Sequence, residues 1–326
     1  MPAVAIEKST ISRSGNPKRS GMAHLSVNLC GLKMKNPTML ASGVLDETGR
    51  SMLEVARAGA GAVVTKSIGK LPRAGHGNPS IVELQNGLIN AMGLPNPGIK
   101  IYASEIREAK RGGVPIIGSV FGGAEDEIAE LAGLMEKAGA DAVELNLSCP
   151  HAKGYGAELG STPELVESIC RKAKKQAGIP LLAKLTPNTS SISALAAAAE
   201  KGGADAVVAI NTLKAMAISP EARMPILANK YGGLSGPAIK PIGVRCVYEI
   251  FEAVEIPIVG VGGISSGRDA LEYAMAGATA IQIGSAVWTE GMDVFNRTCR
   301  EMMQFMEENG FESVREMVGV AHAGRR

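Results

Sequence analysis

Nowhere in this 326-residue sequence do two cysteines stand close together. The five thiols, Cys30, Cys149, Cys170, Cys246 and Cys299, form no C-x-x-C pair. That argues against a zinc site or an iron–sulfur cluster held by this chain alone, and no metal is expected. An excess of charge is also missing. With 34 basic and 32 acidic residues the net charge is +2, so nothing selects nucleic acid or a charged membrane as partner. No apolar run approaches the roughly 18 residues needed to span a bilayer. The first 23 residues carry Lys8, Arg13, Lys18 and Arg19 but lack the hydrophobic stretch of a signal peptide, and read as a disordered polar arm. Residues 24–326 read as one domain of a soluble, cytoplasmic protein. Aromatic residues are few, whereas glycine occurs 40 times, and its placement organises the chain.

A helical pattern that ends in a small-residue turn, followed by a short apolar strand, recurs through the sequence. It appears at Ala58-Gly59-Ala60-Gly61-Ala62-Val63-Val64 and at Ala138-Gly139-Ala140-Asp141-Ala142-Val143. It returns at Gly202-Gly203-Ala204-Asp205-Ala206-Val207-Val208 and at Ala276-Gly277-Ala278-Thr279-Ala280-Ile281. Glycine after a helix permits a left-handed cap, and the apolar run is a strand buried on both faces. Elsewhere proline announces the strand, at Pro115, Pro180 and Pro257. With an opening strand at 38–41, eight strands are predicted, near 62–67, 115–120, 142–148, 180–185, 206–211, 257–262 and 280–285 for the other seven. Eight βα units in about 280 residues is the arithmetic of a (β/α)8 TIM barrel. A doubly wound sheet is the alternative, but the regular repeat without a domain break favours closure. Residues 25–34 read as a hairpin plugging the N-terminal end of the barrel. Residues 68–98 form an insertion with a hairpin signal at Asn86-Gly87, and a further long loop spans 213–236.

The strand ends carry polar residues that a barrel would gather at one mouth. They are Ser42, Lys66, Ser67, Ser119, Asn146, Cys149, Lys184, Asn211 and Thr212. Gly262-Gly263 after the seventh strand and Gly284-Ser285 after the eighth stand where barrels commonly bind phosphate, and Gly236 adds to the same region. A lysine at the end of an interior strand is costly unless it meets an anion or a developing negative charge. Schiff-base chemistry at Lys66 or Lys184 would leave Cys149 and the asparagines without a role. Asn90, Asn146 and Asn211 suit a flat heterocycle with alternating carbonyl and N–H edges. Cys149, just after a strand, reads as a proton-transfer group. Cys170, Cys246 and Cys299 fall in helical patterns and read as small buried hydrophobes.

These motifs, in this order, resemble a class 1 dihydroorotate dehydrogenase, and the resemblance covers residues 25–290. It is carried by Ala41-Ser42-Gly43, Thr65-Lys66-Ser67, Asn90-Ala91-Met92-Gly93-Leu94-Pro95-Asn96 and Asn146-Leu147-Ser148-Cys149-Pro150. Lys184-Leu185-Thr186-Pro187, Asn211-Thr212, Gly232-Gly233-Leu234-Ser235-Gly236-Pro237-Ala238, Gly260-Val261-Gly262-Gly263 and Ile283-Gly284 extend it. The resemblance implies oxidation of (S)-dihydroorotate to orotate in pyrimidine biosynthesis, with FMN in the barrel mouth. Its phosphate would lie on Gly262, Gly263, Gly284 and Ser285. Ser42, Lys66, Ser67, Ser119, Asn146, Lys184, Ile210 and Gly236 would line the rest of the flavin. Lys66, Asn90, Ala91, Met92, Gly93, Leu94, Asn146, Asn211 and Thr212 would hold the substrate. Cys149 would take the C5 proton while the C6 hydride passes to flavin N5. Lys184 would stabilise the reduced ring, and Lys66 or the backbone N–H groups of Met92-Gly93-Leu94 would meet the substrate carboxylate.

Two positions depart from the family pattern. His151 stands where bacterial members often have asparagine, and Ser119 stands where asparagine is frequent. Cysteine rather than serine as base, with a polar N-terminal arm, points away from the membrane-bound class 2. Within class 1 the resemblance implies a homodimer. The run from Gly232 to Pro241 looks like class 1B, whose partner subunit carries FAD and a [2Fe–2S] cluster and passes electrons to NAD; class 1A reduces fumarate directly. The flavin domain of a dihydropyrimidine dehydrogenase, which shares Ser-Cys-Pro-His, is the nearest rival. A phosphate-ligand binding barrel without redox activity is the rival from another class.

Overall fold

The computed structural model describes residues 23–147 and 160–323. Eight parallel strands close into a barrel: β1 (Thr38–Leu40), β2 (Ala62–Val64), β3 (Ile116–Val120), β4 (Ala142–Asn146), β5 (Leu181–Lys184), β6 (Ala206–Ala209), β7 (Ile258–Val261) and β8 (Ala278–Ile283). Their order around the barrel follows the chain, and β8 closes on β1 through Gln282 opposite Met39. The (β/α)8 architecture expected from the repeat is the one observed. Every expected strand is present, most of them trimmed by a residue or two at one end or both.

Helices alternate with the strands: α1 (Gly49–Arg57), α2 (Ile99–Ala109), α3 (Glu125–Ala138), α4 (Pro163–Gln176), α5 (Ile192–Lys201), α6 (Lys240–Phe251), α7 (Gly267–Ala276), a short α8 (Ser285–Glu290) and α9 (Val294–Asn309). Short polar side chains start several of them. Thr48, Thr162, Ser191 and Ser266 each accept a backbone N–H at a helix N-terminus, satisfying donors the helix leaves open. Gly139 closes α3 at φ +100°, a conformation that residues with a Cβ rarely adopt. No helix among the described residues is long and apolar enough to cross a membrane.

Period-two alternation divides the apolar residues into two cores. Val63, Ile116, Val143, Leu145, Leu181, Val207 and Ile281 point outward and pack under the helices. Met39, Ala62, Val64, Ile117, Ala142, Leu182, Val208, Val259 and Ala280 fill the barrel interior. The expected N-terminal hairpin, Val27–Leu29 with Leu32–Met34, contributes Leu29, Leu32 and Met34 to that interior cluster and so plugs the barrel from below.

The two long loops meet over the other end. The insertion after β2 forms the hairpin Ile81–Leu84 and Gly87–Asn90. Gln85 and Asn86 form its tip, so the Asn-Gly signal lies one residue off the turn it announces. Gly87 is instead the first residue of the returning strand, where a Cβ would stand 2.1 Å from the Ser235 carbonyl oxygen. Glycine is needed there for close approach rather than for turn conformation. Strands Leu213–Ala215 and Gly232–Ser235 from the loop after β6 complete a four-stranded antiparallel sheet with this hairpin.

Candidate functional site

The barrel interior turns from apolar to polar as it rises. Along β4, Ala142, Glu144 and Asn146 share one face, and Lys184 and Gln282 stand at the same level on β5 and β8. Glu144, Lys184 and Gln282 are all buried, at 0%, 5% and 1% exposure. Lys184 Nζ donates to Gln282 Oε1 at 3.0 Å, Gln282 Nε2 donates to Glu144 Oε2 at 2.6 Å, and Lys184 Nζ lies 3.3 Å from Glu144 Oε1. Buried charges persist when paired and hydrogen-bonded, and this ring supplies both conditions.

Above it a chain of hydroxyls and amides crosses the mouth. Ser42 Oγ lies 3.2 Å from Ser67 Oγ, which lies 2.8 Å from Ser119 Oγ. Asn146 Nδ2 donates to Ser67 Oγ at 3.0 Å, and Asn211 Nδ2 donates to Asn146 Oδ1 at 3.3 Å. Lys66 stands beside this chain, and its side chain makes no hydrogen bond or ion pair among the described residues. Burial pushes the nearby Asp46 carboxyl above its usual range, against the pull of the Lys66 charge.

The opposite end is built of backbone. Gly262 and Gly263 adopt φ +126° and +69°, and a Cβ on Gly263 would come within 2.6 Å of the Gly236 carbonyl oxygen. Asp269 on α7 fixes the loop that follows them, accepting from the Ser265 N–H, both serine hydroxyls and Lys240. Gly284 and Ser285 lie alongside.

The roof carries the stretch 90–94. Four successive carbonyls there are occupied: His76 Nδ1 lies 3.1 Å from Ala91 O, and His76 N–H donates to Met92 O at 2.9 Å. Arg73 Nε donates to Gly93 O at 2.7 Å and Asn96 Nδ2 to Leu94 O at 3.0 Å. Gly93 and Leu94 have φ of +74° and +58°. The N–H groups of Met92, Gly93 and Leu94 have no partner among the described residues, and successive N–H groups in such a conformation form an anion-binding concavity.

These walls enclose a cavity of about 520 Å³, in the range of small-molecule and cofactor sites. Ser42, Lys66, Ser67, Asn146, Lys184, Ile210, Gly236, Gly262, Gly263, Gly284 and Ser285 all line it, as do Asn90, Met92, Gly93, Leu94, Asn211 and Thr212. Two expected residues stand behind the wall. Ser119 is fully buried and reaches the cavity only through Ser67. Ala91 is fully buried in the roof, packed with Ile89 and Leu227. Cys149 and His151 lie outside the described residues.

The dihydroorotate dehydrogenase family model matches residues 24–306. The chain belongs to the dihydroorotate dehydrogenase family. It is thus an oxidoreductase of a flavoenzyme family, which removes the reading as a non-redox binding barrel. A relative from Thermoplasma acidophilum is 55% identical over 92% of this chain and 99% of its own length. One from Methanocaldococcus jannaschii is 51% identical over 93% and 99%, and one from Pyrococcus abyssi 52% over 91% and 99%. Each of the three is named dihydroorotate dehydrogenase B (NAD(+)), catalytic subunit.

The cavity fits the flavin that the family implies. At its glycine end a Cβ on Gly263 would strike the Gly236 backbone and Gly262 and Gly263 hold positive φ, and the rest of its lining brings Lys66, Lys184, Ser67 and Asn146 together. The remaining thiols suit a structural role. Burial raises Cys170 to about 12 and Cys30, Cys246 and Cys299 to about 11, so none of these four is a base near neutral pH.

Sequence reasoning passed over Glu144 and Gln282, and over Arg73 and His76 in the roof. Glu144 had a usable signal, because a charged residue two positions before Asn146 must share its inward face. Gln282 stands two residues before Gly284 on β8 in the same way. The contacts of Arg73 and His76 arise from loop geometry that no periodicity announces.

Proposed function

We propose that this chain is the catalytic subunit of a class 1B dihydroorotate dehydrogenase that oxidises (S)-dihydroorotate to orotate in pyrimidine biosynthesis, with FMN as its flavin. The observation that carries the reading is the two-ended cavity. Glycines with little room for side chains form one end, and lysines, amides and the 92–94 backbone form the other.

A bound flavin supplies the acceptor for the electron pair that leaves dihydroorotate as a hydride from C6. The chain's own residues do the rest. Gly262, Gly263, Gly284 and Ser285 hold the phosphate through backbone N–H groups. Ser42, Ser67, Lys184, Ile210 and Gly236 line the ring, with Ser119 acting through Ser67. Lys66 and the N–H groups of Met92, Gly93 and Leu94 take the substrate carboxylate, with Ala91 seating that stretch in the roof. Asn90, Asn146, Asn211 and Thr212 meet the amide edges of the pyrimidine. Cys149, two residues beyond the buried Leu147, removes the C5 proton as thiolate.

The relatives' names, with NAD(+) and a catalytic subunit, support a partner subunit and NAD as acceptor, whereas the homodimer, the cytoplasm and the partner's FAD and [2Fe–2S] cluster rest on the family resemblance of the sequence. The protein works as a homodimer in the cytoplasm, and a partner subunit with FAD and a [2Fe–2S] cluster carries electrons to NAD. The purified full chain is expected to be yellow, to release FMN on denaturation and to oxidise dihydroorotate with an artificial dye. NAD reduction is expected only after the partner is added. A colourless preparation that cannot be reconstituted with FMN overturns the reading.

A further inference from the structure

We infer that Glu144 is a positioning residue that acts through Lys184, so that the Glu144–Gln282–Lys184 ring sets the positive charge presented to the flavin and tunes its reduction potential. The inference rests on the flavin reading above and adds to it two residues to which that reading gives no role.

The ring is specific in its geometry. Gln282 sits between an ammonium and a carboxylate, its carbonyl oxygen toward Lys184 and its NH2 toward Glu144. The reversed amide would set donor against donor and acceptor against acceptor, so the two charges fix its orientation. Among the described residues Glu144 Oε1 makes no hydrogen bond and stands in the ring only as the ionic partner of Lys184. The hydrogen bond to Gln282 is the one that Lys184 Nζ makes among the described residues, so further N–H donors remain for the site, and Lys184 lines the cavity whereas Glu144 does not. The carboxylate is therefore a buried counter-ion one step removed from the site.

The electrostatic consequence follows. A neutral oxidised ring meets a pair of zero net charge. On reduction, the negative charge gained by the ring is favoured by Lys184 and opposed by Glu144, in an interior where such interactions are little screened. Glu144 thus holds the potential lower than Lys184 alone would set it.

The test is the reduction potential of the bound flavin in wild-type protein, Glu144→Gln, Lys184→Gln and the double variant. Glu144→Gln is expected to shift the oxidised-to-reduced equilibrium at least tenfold toward the reduced form, which is about 30 mV more positive for a two-electron couple. Lys184→Gln is expected to shift it the other way, and the double variant to fall between the two. An unchanged potential in Glu144→Gln, or a shift in the same direction as Lys184→Gln, overturns the inference. If Glu144→Gln does not fold, Glu144→Asp draws the charge back by one methylene. It is expected to give a smaller shift of the same sign, and no shift in it is equally decisive against the inference. Wild-type protein that takes up no flavin defeats the underlying reading instead, so the two failures are distinct.

Discussion

Asn146 Nδ2 donates to Ser67 Oγ at 3.0 Å, tying the end of β4 to the end of β2 across the strand that separates them. The same hydroxyl contacts Ser42 and Ser119, so one oxygen orders three neighbours. Ser67→Ala removes the acceptor from a buried amide, a loss of about 1–3 kcal/mol. The expected outcome is weaker FMN retention and a fall of about tenfold or more in kcat/KM for dihydroorotate. Equilibrium dialysis of the flavin and steady-state kinetics would check both.

Cys149→Ala is expected to lower dihydroorotate oxidation by about 10²–10⁴-fold while the protein stays yellow. A free thiol titrates near 8.5, so wild-type activity is expected to rise with pH toward that value. Stopped-flow reduction of the flavin across pH 6–10 measures both effects. Loss of flavin together with activity would instead give Cys149 a structural role.

Arg73 supports the roof from outside by donating to Gly93 O. Arg73→Ala frees that carbonyl and loosens the stretch Met92 to Leu94, which lines the cavity. KM for dihydroorotate is expected to rise about tenfold, equivalent to about 1.4 kcal/mol, with kcat and flavin content nearly unchanged.

Gly87→Ala places a methyl group 2.1 Å from Ser235 O, a backbone atom that cannot turn aside. The hairpin and the 232–235 strand must separate, at a cost of about 1–3 kcal/mol. Thermal unfolding is expected to begin at lower temperature, and KM for dihydroorotate to increase, while the barrel's far-ultraviolet circular dichroism is retained.

Burial alone would raise the Asp269 carboxyl, but hydrogen bonds from Lys240, Ser265 and Ser266 bring it below its usual range. A group depressed on folding stabilises the protein above its unfolded pKa, near 3.9, and loses that contribution as pH falls through the lower folded value. Asp269→Asn is expected to lower stability at pH 7 and to narrow the gap from wild type as the medium is acidified below about pH 4. Denaturant melts at several pH values would check the sign.

The barrel was legible because each strand is a short buried run bounded by a glycine or proline signal, and burial on both faces leaves few alternatives for such a run. The mouth was legible for a related reason: strand ends are fixed once the strands are, so Ser42, Lys66, Asn146, Lys184 and Asn211 fall together without further assumption. What was hidden depends on distance across the barrel. Glu144, Lys184 and Gln282 come from three strands, and only closure makes them neighbours. Asn86-Gly87 carried a correct hairpin signal for a different physical reason, because the glycine makes room for a strand some 150 residues later, at Ser235.

The roof is assembled from two loops, 81–90 and 213–235, that share no barrel neighbourhood in the sequence. Neither is a finished structure alone. Without the later loop the Gly87–Asn90 strand would expose an unpaired edge above the mouth, and without the earlier one Gly232–Ser235 would do the same. The two insertions therefore have to change in concert. A relative that lengthens or trims one must adjust the other, and grafting either singly onto another barrel of this kind would transplant an adhesive edge rather than a cover.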